Sequence, residues 1–293
     1  MKRRHGRARF HGASVAAAML LVVSAAAADQ TPTFSSLVET VRVDVLVTDG
    51  HAPIAGLQPA DFEVLDNGVA QKVDLVAFEQ LPLNVVLALD TSRSVTGERL
   101  AALRAASRAV VDELKEGDKA ALLLFSSALW IRAGLTAETE RVRVALAQAP
   151  ISGDTALIDA TYVAMVLGET NAGRALVIVL SDGDDTASFL TPESVLDTAR
   201  GSDAVVYGVS VGGEGRGSFL RDLCAQTGGR LLQAGPTKKI SETFLEVLAE
   251  FRHRYLVSYV PQGVPRGGWH RLAVRVKSRR ASIEARPGYL SGP

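Results

Sequence analysis

The amino-acid sequence predicts an α/β fold in which helices cover both faces of a mostly parallel sheet. The first observation is a set of apolar runs with few interruptions, at residues 83–90, 119–125, 175–181 and 204–211. The second is that helix-like segments alternate with these runs along the chain. Strands that are apolar on both faces and alternate with helices are typical of parallel sheets buried between two helical layers.

The helix-like segments carry apolar residues at helical spacing. They span residues 97–115, 138–148, 156–167, 191–200, 217–226 and 238–252. One further segment, ALWIRAG at 128–134, follows the run 119–125 too closely for a helical crossover. Because parallel neighbours need a long crossover, this segment is predicted to form an antiparallel strand at the edge of the sheet.

Two β-rich segments, 33–81 and 253–290, flank the α/β region at 82–252. In the first segment, valines alternate along VRVDVLVTD, and Asn67-Gly68 separates two apolar runs, which is a strong hairpin signal. Each segment alone makes too small a sheet to bury one face. We therefore expect the two to pair into one small β-sandwich-like domain. Its expected core consists of Val41, Val43, Phe62, Val64, Tyr255, Val257, Trp269 and Leu272.

The composition, with 47% apolar and 22% charged residues, is that of a folded protein. Residues 1–28 combine a basic start, the apolar stretch SVAAAMLLVVSAAAA and an Ala-x-Ala site before Asp29, which predicts a signal peptide. The stretch is shorter than the roughly 20 residues of a membrane-spanning helix, so no stable span is expected after cleavage. An uncleaved anchor is the alternative. We expect export to the periplasm or to the outside of the cell.

The remaining chain, without residues 1–28, has 27 basic and 32 acidic residues, a net charge of −5. This charge offers no electrostatic footprint for nucleic acid, which is not expected as a partner. The single cysteine, Cys224, lies on the apolar face of a helix-like segment and is interpreted as a buried structural thiol. The five histidines show no metal-ligand spacing, so a zinc centre is not predicted.

Oxygen-bearing side chains gather at three places where predicted strands and helices meet. Asp90, Ser92 and Ser94 stand at the end of the first apolar run, Thr155 begins a helix-like segment, and Asp182 follows the third run. In open α/β sheets, ligands bind at the carboxyl ends of the strands, near the switch in strand order. Five oxygens plus water suit the near-octahedral preference of Mg²⁺ or Mn²⁺, with Ca²⁺ as a further alternative.

The three loops, DTSRS, GDTALIDA and VIVLSDGDDTAS, match in order and spacing the metal-ion-dependent adhesion site of von Willebrand factor type A domains. The chain resembles this family over residues 82–252. The resemblance implies a doubly wound, six-stranded, Rossmann-like sheet with one antiparallel edge strand. It also implies that the five residues named above form the metal site, some of them acting through water. The flanking β segments look like those of exported bacterial proteins from a von Willebrand-related group typified in acidobacteria.

Arg93, Asp184 and Asp185 are candidates for direct contact with a partner. Arg93 stands where glycine or another small residue is frequent in the family, and we expect its guanidinium to point outward. The alternative is an ion pair with Glu98, Asp184 or Asp185. For the two aspartates the alternative is a loop or helix-cap role, and Asp159 is assigned to the start of a helix.

These observations predict an exported, divalent-cation-dependent protein-binding module that serves adhesion or interaction. The expected cation is Mg²⁺, and an Asp or Glu carboxylate of a protein partner would complete its coordination shell. A metal-independent scaffold or assembly component of the cell envelope is the alternative. An enzyme is not expected, because a phosphatase with Asp90 as its nucleophile needs a second aspartate two residues on, where Ser92 stands.

Overall fold

The computed structural model describes most of the chain from residue 40 onward. The described residues are 40–50, 52–78, 81–95, 97–147, 153–169, 173–181, 184–211, 218–235, 239–277 and 280–292. The predicted signal peptide at 1–28 lies outside them.

The described residues form fifteen strands and six α-helices. The strands are β1 (Val41–Asp49), β2 (Ala52–Pro53), β3 (Phe62–Asp66), β4 (Val69–Gln71), β5 (Leu75–Phe78), β6 (Leu83–Asp90), β7 (Lys119–Phe125), β8 (Leu129–Thr136), β9 (Arg174–Ser181), β10 (Val205–Ser210), β11 (Leu231–Gln233), β12 (Tyr255–Tyr259), β13 (Gly268–Val276), β14 (Ser282–Glu284) and β15 (Gly288–Ser291). The helices are α1 (Glu98–Asp112), α2 (Thr139–Ala147), α3 (Leu157–Gly168), α4 (Pro192–Arg200), α5 (Ser218–Thr227) and α6 (Ile240–Arg252).

The central sheet has six strands in the order β11-β10-β9-β6-β7-β8. All neighbours are parallel except β7 and β8, which pair in antiparallel register. From β6 the chain first builds one half of the sheet through β7 and β8, and then the other half through β9 to β11. The strand order therefore reverses between β6 and β9. The predicted fold class, with its antiparallel edge strand, is confirmed.

Two helical layers cover the central sheet, as uninterrupted apolar strands require. Helices α1, α2 and α6 pack on one face around residues such as Leu87, and α3, α4 and α5 pack on the other around residues such as Val86. Every residue of β6 and of β9 is buried. Polar ligand groups of these strands can therefore lie only at the strand ends.

The two terminal segments share two further sheets. In one, of order β14-β1-β12-β5, β1 lies between two C-terminal strands, and Val43 pairs with Val257. In the other, of order β15-β13-β3-β4, Val64 pairs with Val274. Seven of the eight residues expected in the core belong to one buried apolar cluster that spans both segments. Whether these sheets act as a separate domain, with boundaries at 33–81 and 253–290, stays a prediction.

Trp269 was expected in this core, and that expectation is wrong. Its side chain is 41% exposed, and the Arg200 guanidinium lies 5.3 Å from the centre of its ring. Along β13 the inward positions are taken by His270 and Leu272, so the alternation of the strand turns Trp269 to the other face. His270 is stabilised there by a hydrogen bond between its Nδ1 and Asp66, at 2.7 Å.

The predicted hairpin at Asn67-Gly68 joins β3 and β4, which pair in antiparallel register. Asn67 and Gly68 have φ values of 47° and 83°. Two consecutive positive φ angles are those of a type I′ turn, whose twist matches that of the flanking strands. Asparagine and glycine tolerate this conformation better than other residues, which explains why the sequence signal was reliable.

Two buried arginines connect the central sheet to the terminal strands. Arg174, the first residue of β9, forms an ion pair with Asp44 of β1. Arg254, which is fully buried just before β12, donates hydrogen bonds to the Tyr207 hydroxyl from Nε at 3.0 Å and from Nη2 at 2.7 Å. The Tyr207 hydroxyl donates in turn to Glu250 at 2.5 Å. Burial raises the pKa of Tyr207, so its hydroxyl stays protonated and able to donate.

Replacement of Arg254 by alanine should lower the free energy of unfolding by about 3–5 kcal/mol, because it removes one partner of a buried charged network. Arg141→Ala is the matched control, since the Arg141–Glu138 ion pair is well exposed on both sides. This control should cost less than about 1 kcal/mol. Denaturant unfolding of the three proteins measures both values. Equal stability of the two variants would contradict the structural role of Arg254.

Cys224 is buried in α5, as expected for a structural thiol. Desolvation by burial raises its pKa to about 12, so almost no thiolate is present at pH 8. We predict that Ellman's reagent does not label the folded protein at pH 8 and labels one thiol after unfolding in guanidinium chloride, where the pKa returns to about 8.5. Rapid labelling of the folded protein would show that the thiol is accessible and that this interpretation is wrong.

Candidate metal site

Asp90 occupies the centre of the candidate site, at the carboxyl end of β6. It is fully buried, and its two carboxylate oxygens accept separate hydrogen bonds. The backbone N–H of Ser92 donates to one oxygen at 2.8 Å, and the hydroxyl of Ser181 donates to the other at 2.9 Å. The hydroxyl oxygens of Ser92 and Ser94 lie 3.0 Å apart. One carboxylate and three hydroxyls therefore meet at the point where the strand order reverses.

Ser181 is a site residue that the sequence interpretation did not assign. It is the last residue of β9, the strand next to β6, and it is buried. Its hydroxyl fixes the orientation of the Asp90 carboxylate. The signal was present in the sequence, because Ser181 is the polar end of an otherwise apolar run, but its neighbour Asp182 was preferred as the ligand.

The second loop is tied to the first by backbone contacts. The N–H of Arg93 donates to the carbonyl oxygen of Gly153 at 3.3 Å, and the N–H of Ala156 donates to that of Ser126 at 2.7 Å. Gly153 has a φ of 72°, and a Cβ at this position would overlap the Ser127 hydroxyl. Glycine is therefore favoured where the second loop approaches the turn between β7 and β8. Thr155, two residues later, is buried beside them.

The third loop packs on Thr155. The N–H groups of Thr186 and Ala187 donate to the Thr155 carbonyl oxygen at 2.8 and 3.1 Å, and the Thr155 N–H donates to the Thr186 hydroxyl at 3.0 Å. Asp182, the predicted ligand of this loop, lies outside the described residues. The structure thus brings four predicted residues, Asp90, Ser92, Ser94 and Thr155, to connected loops, and their roles as ligands stay predictions.

Two of the acidic residues near the site have structural partners. Asp185 accepts a hydrogen bond from the Ile158 N–H at 3.1 Å, in the first turn of α3, and one from the Ser188 hydroxyl at 2.5 Å. Asp159 accepts from the N–H groups of Phe189 and Leu190 at 3.0 and 2.9 Å. The helix-cap interpretation of Asp185 and the helix-start interpretation of Asp159 agree with these contacts. A partner contact by Asp184, which is exposed, stays a prediction.

Arg93 points outward, with 76% of its side chain exposed. Its Nη2 lies 3.0 Å from Oδ1 of Asp154, an exposed residue of the second loop. The ion pair that the sequence suggested with Glu98, Asp184 or Asp185 is therefore formed with a different aspartate. Asp154 is distant from Arg93 in the sequence, so the sequence did not indicate this ion pair. The contact depends on how the first two loops approach each other.

The donor set suits a cation that prefers oxygen ligands. The Asp90 carboxylate is a hard oxygen donor, and the Ser92 N–H and the Ser181 hydroxyl orient it. Within the described residues, no group of three or more His, Cys, Asp or Glu side chains is arranged to hold a metal. The candidate site is of another kind, since most of its oxygens come from hydroxyls.

A cavity of about 590 Å³ lies elsewhere, at the amino ends of the central strands. Arg42, Arg174 and Arg286 line it, and these arginines form ion pairs with Asp203 and Asp44. It contains none of the predicted ligand residues. The candidate site lies instead in the loops at the carboxyl ends of the central strands.

The fold and the site define a Rossmann-like α/β domain with an oxygen-rich switch point. The model of one family, described as the von Willebrand factor type A domain, matches residues 84–243, more than half of the chain. The chain therefore belongs to the von Willebrand factor type A domain family, and the predicted resemblance to this family is confirmed. The likeness to acidobacterial exported proteins stays a prediction.

Similarity to individual proteins is more distant. Human inter-alpha-trypsin inhibitor heavy chain H4 is 28% identical over 165 residues, which are 51% of this chain and 18% of that protein. The chain thus spans less than a fifth of this relative's length. A von Willebrand factor type A structure from Catenulispora acidiphila has a TM-score of 0.55 at 15% identity, and the match covers 78% of this chain and 72% of that one.

Proximal thread matrix protein 1 from the mussel byssus, in a structure with a zinc-occupied metal-ion-dependent adhesion site, has a TM-score of 0.53 at 16% identity. That match covers 62% of this chain and 48% of the mussel protein. At these identities the two structures support the fold alone. Among the helices that the structure describes, none has the length and apolar character needed to cross a membrane.

Replacement of Gly153 by alanine should lower the free energy of unfolding by about 1–2 kcal/mol, because the residue has a left-handed conformation and a Cβ meets Ser127. Gly134→Ala is the control, since no atom lies within 4 Å of a Cβ added there. This control should keep or raise stability. Thermal and denaturant unfolding give the comparison. A stable Gly153→Ala protein would mean that the second loop does not need this close approach to the turn between β7 and β8.

Proposed function

We propose that the chain is an exported protein-binding module whose type A domain holds a divalent cation for a partner's carboxylate. Domains of this family generally mediate protein interaction, and some bind a metal. The observation that carries the proposal is the buried Asp90 carboxylate, oriented by Ser92 and Ser181 beside a pair of serine hydroxyls. It lies at the switch in strand order, where ligands of open α/β sheets bind.

The residues that would hold the cation are Asp90, Ser92, Ser94, Thr155 and Asp182, some of them through water. Hydroxyls contribute coordination without cancelling the charge of the cation, so the metal would keep the positive character that attracts an acidic side chain. Mg²⁺ fits this hard oxygen set best, with Mn²⁺ and Ca²⁺ as alternatives. The zinc-occupied adhesion site of the mussel protein supports a divalent cation at this place in the family.

The charges around the loops support a need for the cation. The described loops carry Asp90, Asp154, Asp184 and Asp185 against one guanidinium, that of Arg93. Without a cation these loops repel an acidic partner, whereas a bound dication offsets two of the negative charges and places positive charge where the partner's carboxylate would bind. Binding of the partner is therefore expected to depend on the metal and to be lost in chelator.

Two other functions remain as alternatives. A metal-independent scaffold of the cell envelope would use the same fold, with the loop hydroxyls serving only to hold the strand ends together. A phosphatase would need Asp90 as a nucleophile, but this carboxylate is fully buried and both its oxygens already accept hydrogen bonds. The binding module is favoured because a buried carboxylate can bind a cation directly or through water, whereas a nucleophile must reach its substrate.

Calorimetric titration with Mg²⁺ and Mn²⁺ tests the proposal on the mature chain. The parent protein should bind one cation, and Asp90→Ala should weaken that binding by more than about 100-fold, a larger loss than removal of an outer partner causes. Asp154→Asn is the control, because this exposed carboxylate is not among the proposed ligands. Its effect should stay within about threefold, since exposed charges are screened by solvent.

A parent protein that binds neither cation would overturn the proposed function and favour the scaffold. Circular dichroism of Asp90→Ala must match the parent, so that loss of binding is not loss of fold. Turnover of a general phosphatase substrate, abolished by Asp90→Asn, would instead support the enzymatic alternative.

A further inference from the structure

Exposed apolar side chains are concentrated beside the candidate metal site. Four of the ten large apolar residues that are exposed in the described part of the chain lie on α3 and on the loop that packs against it. They are Tyr162, Val166, Phe189 and Leu190, with exposed fractions of 37%, 49%, 95% and 37%. We call these four residues the α3 stripe. Single exposed apolar residues are ordinary, but a concentration of them marks an interaction surface.

The position of the α3 stripe follows from helix spacing and from two hydrogen bonds. Asp159, Tyr162 and Val166 are separated by three and four residues, so they lie on one side of α3. The carboxylate of Asp159 accepts the N–H groups of Phe189 and Leu190, which places this dipeptide at the amino-terminal end of the same side. The four residues therefore share one surface.

The α3 stripe begins next to the candidate metal site. Thr155 lies two residues before α3, and its carbonyl oxygen holds Thr186 and Ala187, just ahead of Phe189. Asp159 is four residues beyond Thr155, a separation of about one helical turn. A partner that reaches the site with one side chain can thus reach Phe189 with a neighbouring one.

The charge of α3 favours apolar contact along this surface. Among the twelve residues of the helix, Asp159 is the one charged side chain, and its carboxylate is engaged by the Phe189 and Leu190 N–H groups. A helix of this composition is normally covered on all sides. Here one side faces solvent, although the other side is buried against the central sheet.

The backbone that presents Phe189 is fixed before any partner binds. Ser188 donates to Asp185 from its hydroxyl, at 2.5 Å, and from its N–H, at 3.3 Å. The next two N–H groups are held by Asp159. A backbone that is already ordered loses little conformational entropy on binding, and aromatic residues are common among interface anchors.

We propose that the α3 stripe is the second half of the binding surface, and that it selects a protein segment in which apolar side chains stand next to an acidic one. The acidic side chain completes the coordination shell of the cation, and the apolar side chains cover Phe189 and its neighbours. This inference rests on the proposed function, because it takes the cation site as the point where the acidic side chain is held.

Three pools of fluorescein-labelled dodecapeptides test this inference on the mature chain. One pool has a fixed Asp followed by mixed Leu, Ile and Phe, the second a fixed Asp followed by mixed Ser and Gly, and the third a fixed Asn followed by the apolar mixture. Fluorescence anisotropy in Mg²⁺ should give the first pool an affinity about tenfold above the other two. In EDTA this advantage should disappear.

The double variant Phe189→Ser, Val166→Ser should lose the preference for the first pool over the second while binding Mg²⁺ as the parent does in calorimetry. Ile131→Ser is the matched control, because Ile131 is 54% exposed on β8, outside the α3 stripe. It should keep the preference. Both replaced side chains of the double variant are exposed, and thermal unfolding confirms that the fold is retained.

Other outcomes separate this inference from the proposed function. Mg²⁺ binding without any preference among the pools overturns the inference but leaves the proposed cation site intact. The same holds if the parent protein sediments as a dimer and the double variant as a monomer. Absence of Mg²⁺ binding overturns the proposed function. In that case a preference for apolar pools that the double variant abolishes still supports the α3 stripe as a contact surface, and no preference overturns it too.

Discussion

Burial of the central strands on both faces is the constraint on which the rest of the domain depends. Every residue of β6 and β9 is buried, so the middle of each strand must be apolar. Polar side chains are confined to the strand ends: Asn84 and Arg174 at the amino ends, and Asp90 and Ser181 at the carboxyl ends. Because β6 and β9 are neighbours, the two polar residues of each pair lie close together at the same end of the strands. The fold thereby creates two polar clusters before any function is considered.

The two clusters differ in what satisfies them. At the amino ends, the Asn84 amide donates to the Gly168 carbonyl oxygen at 2.9 Å, and Arg174 pairs with Asp44 of the terminal sheet. These contacts attach helix and sheet to each other, and Arg254 adds a second buried connection close by. At the carboxyl ends, Asp90 accepts hydrogen bonds from the Ser92 N–H and from the Ser181 hydroxyl, and the Ser92 and Ser94 hydroxyls contact each other. An ion-paired arginine therefore lies at one end of the strands, whereas a carboxylate and several hydroxyls lie at the other.

Much of this arrangement could be predicted from the sequence, because it depends on local patterns. Uninterrupted apolar runs predicted the central sheet, and Asn67-Gly68 predicted the hairpin between β3 and β4. The alternation along β13 predicts that its side chains point to two opposite faces, but it does not show which face is buried. Trp269 was therefore assigned to the core, whereas the structure places His270 there. The Arg93–Asp154 contact depends on the mutual approach of two loops, which no local pattern encodes. The ligand roles stay predictions, since Asp182 lies outside the described residues.

A cation and an apolar surface would contribute different properties to recognition. A cation at the carboxyl ends of the strands would orient one carboxylate of the partner and make association depend on the metal. It would not distinguish one acidic side chain from another. The α3 stripe can distinguish partners by shape, and burial of Phe189 would add affinity that charge alone does not provide. The same loop links both, because Asp159 and Asp185 hold residues 188–190 against the helix that begins beside Thr155. Partner choice would therefore be decided by the apolar residues that neighbour the acidic side chain.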